Sequence, residues 1–359
     1  MESITVKLKY RGYKAILELK DKITVIRGLS ATGKSTIHKI LDINDESKLI
    51  DISNSRYKIQ YVADKNIMNF IIRLGGFDKY TIYVIDEGKI KIDNEIASLI
   101  QKSEYAYFII TCRESLNKLN FSIDAVKQLV TDTNGVIRLS NYIQLRSQSE
   151  VELIQTKLDS IIIEDSGKAK QWFESLFIAL GIELETPPGG KDEICGLIKS
   201  RIENCNNMLV IFDTCSFGSH IEELSSLLDS YPTRIKIVSY YKSWEYLMLK
   251  SNFYRDKMIE YSISCGAFEE KFYEEQLDKL SKQAGVFTHI KHDQGSKKSK
   301  TLSKCYTNAC CIYTGLIRES DSVEKKCSIG LRGTDKFVSM LTGTEFENLL
   351  IIAKRGDHK

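Results

Sequence analysis

The sequence predicts an α/β protein with two parallel-sheet units and a mostly helical C-terminal extension. A short apolar strand at residues 23–26 runs into a glycine-containing loop and then a helix. Beyond residue 150, predicted strands and helices alternate regularly, which is typical of a second parallel sheet. We therefore expect a first unit over 1–148, a second over 149–262 and the extension over 263–359.

Composition excludes several classes of protein. The chain has 359 residues, 42% of them hydrophobic and 28% charged, and a net charge of +3. That charge gives no bulk attraction to nucleic acid. Nine cysteines without paired spacing indicate a reducing cytoplasm rather than a disulfide framework. Apolar runs are too short to span a bilayer, so we expect a cytoplasmic protein with no membrane partner.

The first unit begins with a predicted hairpin, residues 4–8 and 15–19 around a turn at Gly12. The strand at 23–26 follows it. The sequence from Gly28 to Ser35 then fits G-x-x-x-x-G-K-S, the pattern of a phosphate-binding loop (P-loop). A chance match in a turn is the alternative, but the flanking strand and helix are those that the mechanism requires.

Each part of this loop has a physical role. Two glycines let the backbone curl so that its N–H groups surround a β-phosphate. Lys34 supplies a mobile positive charge, and the Ser35 hydroxyl can bind Mg²⁺. The helix that opens at Thr36 favours an anion at its N-terminus. The predicted ATP-binding residues are Gly28, Ser30, Ala31, Thr32, Gly33, Lys34, Ser35 and Thr36.

A second nucleotide signal is the apolar run at 80–85, which ends in Asp86 and Glu87, the form of a Walker B segment. Asp86 would hold Mg²⁺ and Glu87 would polarise the attacking water. An acidic turn before Gly88 is the alternative. Thr111 and Arg113 follow the next predicted strand and are candidates to sense the γ-phosphate, although a surface loop explains them equally well.

With these motifs the first 140 or so residues resemble the ATP-binding-cassette-like ATPases, in the small form found in defence and repair ATPases. The resemblance implies ATP and Mg²⁺ as ligands. The sequence departs from the family in having no L-S-G-G-type signature between the two motifs. In the family that signature completes the partner's site in a dimer. ATP binding is therefore the main expectation, ahead of rapid hydrolysis.

Acidic residues mark the strand ends of the second unit. Glu164 follows one predicted strand, Asp213 another, and Glu245 comes just past a third. Ligands gather at the carboxyl ends of parallel strands, and carboxylates suit Mg²⁺. A metal held there could activate water or a 3′-oxygen for phosphodiester chemistry. For any one acid, a helix cap is the simpler explanation.

The order of Glu164, Gly189-Gly190-Lys191, Asp213 and Glu245-Tyr246-Leu247 resembles the TOPRIM (topoisomerase–primase) fold of OLD-family nucleases and related abortive-infection proteins. The resemblance implies Mg²⁺ or Mn²⁺ bound by Glu164 and Asp213, catalytic roles for Glu164, Asp213 and Glu245, and DNA or RNA as substrate. The usual D-x-D is here Asp213-Thr214-Cys215. Glu222 or Glu223 is a substitute for the second acid.

The C-terminal hundred residues carry two further features. A basic stretch at 289–300 could contact phosphates, although a solvated loop is the default. Four cysteines lack zinc-knuckle spacing and fit buried structural positions better than a zinc site. They are Cys305, Cys310, Cys311 and Cys327. Helices are predicted at 268–280 and 345–353.

The combined hypothesis is an ATP-binding and ATP-hydrolysing protein whose second unit is a Mg²⁺-dependent nuclease or nucleic-acid-binding effector. By resemblance, the setting is bacterial anti-phage defence, with a homo-oligomer or a companion defence protein as partner. The alternative is an ATP-dependent sensor or scaffold whose second unit binds a partner protein without catalysis. A small-nucleotide kinase is less favoured, because only Arg56 and Arg73 lie between the motifs to act as lid arginines.

Overall fold

The computed structural model describes residues 3–28, 33–43, 48–113, 116–142, 158–165, 169–170, 173, 183–215, 217–240, 242–250, 257–259 and 267–283. The chain divides into two compact units. The first comprises Met1–Gln144, Cys215–Glu222 and Tyr261–Glu269, and the second Leu145–Thr214, Glu223–Glu260 and Glu270–Lys359. Sheets and helices in both units confirm the α/β class. No helix in these described ranges is long and apolar enough to cross a membrane.

Among the described residues, the first unit holds a nine-stranded sheet in the order β4-β1-β2-β9-β8-β3-β7-β6-β5. Its strands are β1 Ile4–Tyr10, β2 Tyr13–Leu19, β3 Ile23–Arg27, β4 Leu49–Ile52, β5 Lys58–Val62, β6 Thr81–Asp86, β7 Tyr107–Thr111, β8 Val126–Thr131 and β9 Ile137–Asn141. Its helices are α1 Lys34–Asp42, α2 Lys65–Arg73 and α3 Asn94–Lys102.

The centre of this sheet is parallel and buried. Strands β8, β3, β7, β6 and β5 pair in parallel with one another in that order. Every residue of β3 and β7 is buried, as expected for strands covered on both faces. Helices α2 and α3 begin where the carboxylates of Asp64 and Asp93 accept backbone N–H groups.

The predicted hairpin around Gly12 is confirmed, and the structure contains a second one around Gly135. Strands β1 and β2 pair antiparallel around Gly12, whose φ is 87°, and β8 and β9 around Gly135, whose φ is 73°. Both angles favour glycine. We call β4, β1 and β2 the flap. The flap joins the sheet through a parallel β2–β9 pairing of two registered pairs, Ala15 with Ile137 and Ile16 with Arg138. Its apolar side chains share one core with Ile26 of β3 and Ile37 of α1.

The second unit holds a parallel sheet of four described strands in the order β11-β10-β12-β13. These are β10 Ser160–Ile163, β11 Leu184–Glu185, β12 Met208–Asp213 and β13 Ile235–Tyr240. The helices after β11 are α4 Ile194–Ile202, α5 Ile221–Ser230, α6 Trp244–Lys250 and α7 Ala267–Gln283. The predicted alternation of strands and helices is confirmed from β11 onward.

Several expectations lie outside the described residues. They are most of residues 172–180, where the alternation of strands and helices predicts a helix, the basic stretch at 289–300, Cys305, Cys310, Cys311 and Cys327, and the helix at 345–353. Helix α7 covers the predicted helix at 268–280, and within residues 271–280 Tyr273 and Leu277 are buried.

Candidate functional site

The predicted P-loop connects β3 to α1 along the chain. Strand β3 ends at Arg27, and Gly28 and Gly33 both have positive φ angles, 136° and 98°. Side chains other than hydrogen are strained at such angles, so both glycines are required by the backbone. The carbonyl of Gly33 accepts the N–H groups of Thr36 and Ile37 at 3.1 Å, which starts α1. Ser30, Ala31 and Thr32 lie outside the described residues.

The cation of this loop is Lys34, the first residue of α1. Its Nζ donates a hydrogen bond to the carbonyl of Gly28, six residues earlier in the chain. Partial burial, and then the nearby positive charge of Arg113, lower the pKa of Lys34. Ser35 is exposed. A lysine charge and the side chain of an exposed serine thus lie at the N-terminus of one helix.

Strand β7 separates the P-loop strand from the predicted Walker B strand. In the sheet register Thr111, at the end of β7, faces Ile26 of β3 on one side and Asp86 of β6 on the other. The Glu87 N–H donates to the carbonyl of Thr111 at 3.0 Å. The carboxyl ends of three parallel strands therefore bring the P-loop, Asp86 and Thr111 to the same edge of the sheet.

Asp86 also starts a tight turn. Its Oδ1 accepts the N–H of Gly88 at 3.1 Å, and its carbonyl accepts the N–H groups of Lys89 and Ile90 at 2.9 Å. The acidic turn considered from the sequence is therefore present, and it is compatible with a metal-binding role. The turn binds Oδ1 of the Asp86 carboxylate. The other oxygen, Oδ2, is contacted by a different residue.

That contact is His38, which is not among the site residues predicted from the sequence. The Nδ1 of His38 lies 3.3 Å from Oδ2 of Asp86, and Nε2 lies 2.9 Å from Oγ1 of Thr111. Burial lowers the pKa of His38, and the Asp86 charge opposes this. The one available signal was spacing, because His38 comes one helical turn after Lys34 and interrupts the apolar face of α1 beside Ile37.

The two proposed γ-phosphate sensors have other contacts. Thr111 is 2% exposed, and its hydroxyl is within hydrogen-bond distance of His38. The carbonyl of Arg113 accepts a hydrogen bond from Arg27 Nη1 at 3.3 Å, while its own side chain is exposed. Of the two, Thr111 is therefore buried and Arg113 is accessible.

At the second sheet, the structure places Glu164 and Asp213 on adjacent parallel strands. Asp213 ends β12 and is 8% exposed, while Glu164 follows β10 and donates its N–H to the carbonyl of Ile211 at 3.0 Å. Ile163 pairs with Ile211, so both acids lie at the same carboxyl edge. Glu245 lies in the first turn of α6, after β13.

The glycines after β11 form a turn. Gly190 has a φ of 66°, and its N–H donates to the carbonyl of Pro187 at 3.2 Å. The N–H of Gly189 donates to the Glu193 carboxylate at 3.2 Å. Lys191 belongs to the short 3₁₀ turn that follows, on the side of the sheet where β11 is the edge strand.

Cys215, which stands where the D-x-D pattern has its second acid, is buried, and the two glutamates considered as substitutes form ion pairs. Cys215 is 1% exposed. Glu222 forms an ion pair with Arg27 at 2.6 Å, and Glu223 forms one with Lys199 at 2.6 Å. Within the described parts of the chain, no group of three or more His, Cys, Asp and Glu side chains is arranged to hold a metal ion.

Comparison with models of known protein families and with curated proteins finds no match for this chain. Function is therefore inferred from the residues at the carboxyl ends of the parallel strands in the two sheets.

Proposed function

We propose that the chain binds ATP with Mg²⁺ at the edge formed by β3, β7 and β6, and hydrolyses it slowly. The observation that supports this most directly is the placement of the P-loop glycines and Asp86 at the ends of parallel strands separated only by β7. In this arrangement the backbone of a glycine loop and a helix N-terminus can bind an anion next to a carboxylate suited to a hard cation.

Each residue of the proposed site has a separate role. The N-terminus of α1 and the Lys34 charge bind and orient the phosphates. The exposed Ser35 hydroxyl and the Asp86 carboxylate supply oxygen ligands that fit Mg²⁺, which when bound neutralises phosphate charge. Glu87, next to Asp86 at the end of the strand, is the candidate to orient an attacking water.

For the second unit we propose an effector controlled by the ATP site, acting on DNA or RNA with Mg²⁺ or Mn²⁺ in anti-phage defence. The adjacent positions of Glu164 and Asp213 at one strand edge support this function. The alternative, a sensor or scaffold that binds a partner protein, is favoured by a different observation. The buried Cys215 replaces an acid, and the ion pairs of Glu222 and Glu223 engage both substitute acids.

ATP binding is tested with Lys34→Ala. The variant should keep the wild-type unfolding temperature without ligand and lose the rise in that temperature produced by ATP and Mg²⁺. Lys39→Ala is the matched control, because Lys39 is an exposed lysine of the same helix. Undiminished ATP binding by Lys34→Ala would show that the P-loop assignment is wrong.

Nuclease activity is tested by incubating the full chain with single- and double-stranded DNA and RNA, with Mg²⁺ or Mn²⁺. Glu164→Ala should abolish cleavage, whereas Glu203→Ala, an exposed glutamate after α4, should not. Cleavage that persists in Glu164→Ala contradicts the site. No cleavage of any substrate by the wild-type chain favours the partner-binding alternative.

A further inference from the structure

We infer that His38 is a positioning residue of the nucleotide site: it holds the Asp86 carboxylate in a fixed orientation and links it to Thr111 at the end of β7. This inference rests on the proposed function, because the ligand that Asp86 would bind is the Mg²⁺ that accompanies ATP. His38 lies within the same unit as both of its partners.

The hydrogen-bond chemistry allows a consistent assignment. A carboxylate only accepts, so the Nδ1 of His38 must carry a proton to bond Oδ2 of Asp86 at 3.3 Å. In the neutral ring Nε2 is then an acceptor, and the Thr111 hydroxyl at 2.9 Å donates to it. A single imidazole tautomer therefore satisfies both contacts in the order Thr111, His38, Asp86.

A hydroxyl, an imidazole and a carboxylate in this order also occur in nucleophilic triads, so that role has to be considered. Thr111 is 2% exposed and lies on a central strand paired on both sides. Its hydroxyl has no route to a substrate carbonyl or phosphorus atom. The chain of contacts is therefore structural support for Asp86 rather than a nucleophile and its base.

The support acts on both oxygens of Asp86. The N–H of Gly88 bonds Oδ1, and His38 contacts Oδ2. His38 is itself held by Tyr61, whose ring stacks on it with centroids 5.2 Å apart and an interplanar angle of 20°. The Tyr61 hydroxyl accepts a hydrogen bond from Lys89 Nζ at 3.1 Å. Groups that orient a metal ligand in this way affect metal affinity without touching the metal.

The position of His38 also couples two parts of the site. Lys34 and His38 lie one turn apart on α1, so the same helix carries the phosphate-binding cation and the group that orients Asp86. Replacing the imidazole with a methyl group leaves Lys34 in place and removes the contact with Asp86.

The experiment measures ATP binding by the shift in unfolding temperature of the full chain, in EDTA and across a Mg²⁺ titration. His38→Ala should bind ATP in EDTA as the wild type does. It should need about 10 to 100 times more Mg²⁺ for the half-maximal additional shift. His38→Asn, which keeps a short donor near the position of Nδ1, should recover much of this loss. Thr111→Val removes the contact with Nε2 of His38, together with the 3.5 Å contact between the Thr111 hydroxyl and the carbonyl of Ile85, and should show a smaller loss.

A second measurement needs no ligand. The chain has five histidines, so ¹⁵N-histidine spectra of the metal-free protein can be assigned by comparison with His38→Asn. We expect the His38 ring in the Nδ1–H tautomer. The Nε2–H tautomer would overturn the inference, and so would a Mg²⁺ requirement that is unchanged in His38→Ala.

The outcomes separate the two proposals. If the wild-type chain binds ATP and the His38 variants show the wild-type Mg²⁺ requirement, only the role of His38 is wrong. If the wild-type chain binds no ATP with or without Mg²⁺, the proposed function is wrong and the role of His38 fails with it. Should His38→Ala not fold, His38→Asn and Thr111→Val decide between the same outcomes.

Discussion

The guanidinium of Arg27 lies 2.6 Å from the carboxylate of Glu222, and the Arg27 side chain is only 3% exposed. Arg27 is the last residue of β3, immediately before Gly28 of the P-loop. Glu222 belongs to Cys215–Glu222, the stretch that follows Thr214 and returns to the first unit. A buried charge at the end of β3 therefore holds this stretch within the first unit.

The first prediction compares two neighbouring glutamates. Glu222→Ala leaves the buried Arg27 charge without its counter-charge, so we expect a loss of about 3 kcal/mol in the free energy of unfolding. Glu223→Ala breaks an ion pair in which both side chains are about half exposed, and should cost less than about 1 kcal/mol. Urea denaturation measures both, and equal losses would contradict the distinction.

A second prediction concerns Gly218, which lies in the same returning stretch. Its N–H donates to the carbonyl of Phe121 at 2.9 Å. A Cβ there would lie 2.4 Å from Cδ2 of Phe121 and 2.6 Å from the carbonyl oxygen of Ser122. Gly218→Ala should therefore lower the free energy of unfolding by about 1–3 kcal/mol.

Gly196 is the matched control, because a Cβ at this position in α4 meets nothing within 4 Å. Gly196→Ala should raise the free energy of unfolding by about 1 kcal/mol, since alanine favours the helix. Chemical denaturation of both variants tests the pair. A harmless Gly218→Ala would mean that the returning stretch is not held tightly against Phe121.

The third prediction concerns Tyr13, whose buried hydroxyl has no hydrogen-bond partner among the described residues. Burial raises the pKa of Tyr13 to about 12. In the unfolded chain a tyrosine ionises near pH 10, so above about pH 10 the unfolded state binds fewer protons and stability falls as pH rises. Tyr13→Phe lacks this loss.

Tyr13→Phe should therefore match or exceed the wild-type stability near neutral pH, and its advantage should grow from about pH 9 to about pH 11. Denaturation at a series of pH values measures the difference in the free energy of unfolding between the two proteins. The other tyrosines are present in both and do not contribute to this difference. An advantage that shrinks with rising pH would show that the hydroxyl has a partner that stabilises its ionised form.

A fourth prediction concerns thiol reactivity. Burial raises the pKa of Cys112 to about 11 and that of Cys195 to about 12. Both thiols are therefore protonated and unreactive at about pH 8. Cys205 is partly exposed. Iodoacetamide should modify Cys205 before Cys112 and Cys195 in the native protein, and all three at similar rates in urea. Peptide mapping by mass spectrometry gives the order.

Local patterns predicted the elements of the first unit well. The hairpin around Gly12, the buried strand before the P-loop and the strand that ends at Asp86 needed only periodicity and turn residues, and the structure contains all three. Local patterns could not indicate which side chains, distant in sequence, contact each other. His38 contacts Thr111 across 73 positions of sequence, and Arg27 contacts Glu222 across 195.

The same limit applies to the second unit. Because acids follow two predicted strands, the sequence predicts that Glu164 and Asp213 lie at one edge of a parallel sheet. The register of β10 and β12 agrees with this prediction. Glu222 and Glu223 were considered as substitutes for the missing acid because they are close to it in sequence. Their ion pairs depend on Arg27 and Lys199, which are distant in sequence and could not be paired from a single chain.

The flap is attached to the rest of its sheet by two registered β2–β9 pairs and by a shared apolar core. This core includes Ile26 of β3 and Ile37 of α1, the two elements that flank the predicted P-loop. Tyr13 of β2 extends the packing to the loop itself, because a Cβ at Gly33 would lie 3.5 Å from the Tyr13 hydroxyl. Close-packed interiors transmit strain, so a substitution that loosens the flap core would alter the space next to Gly33.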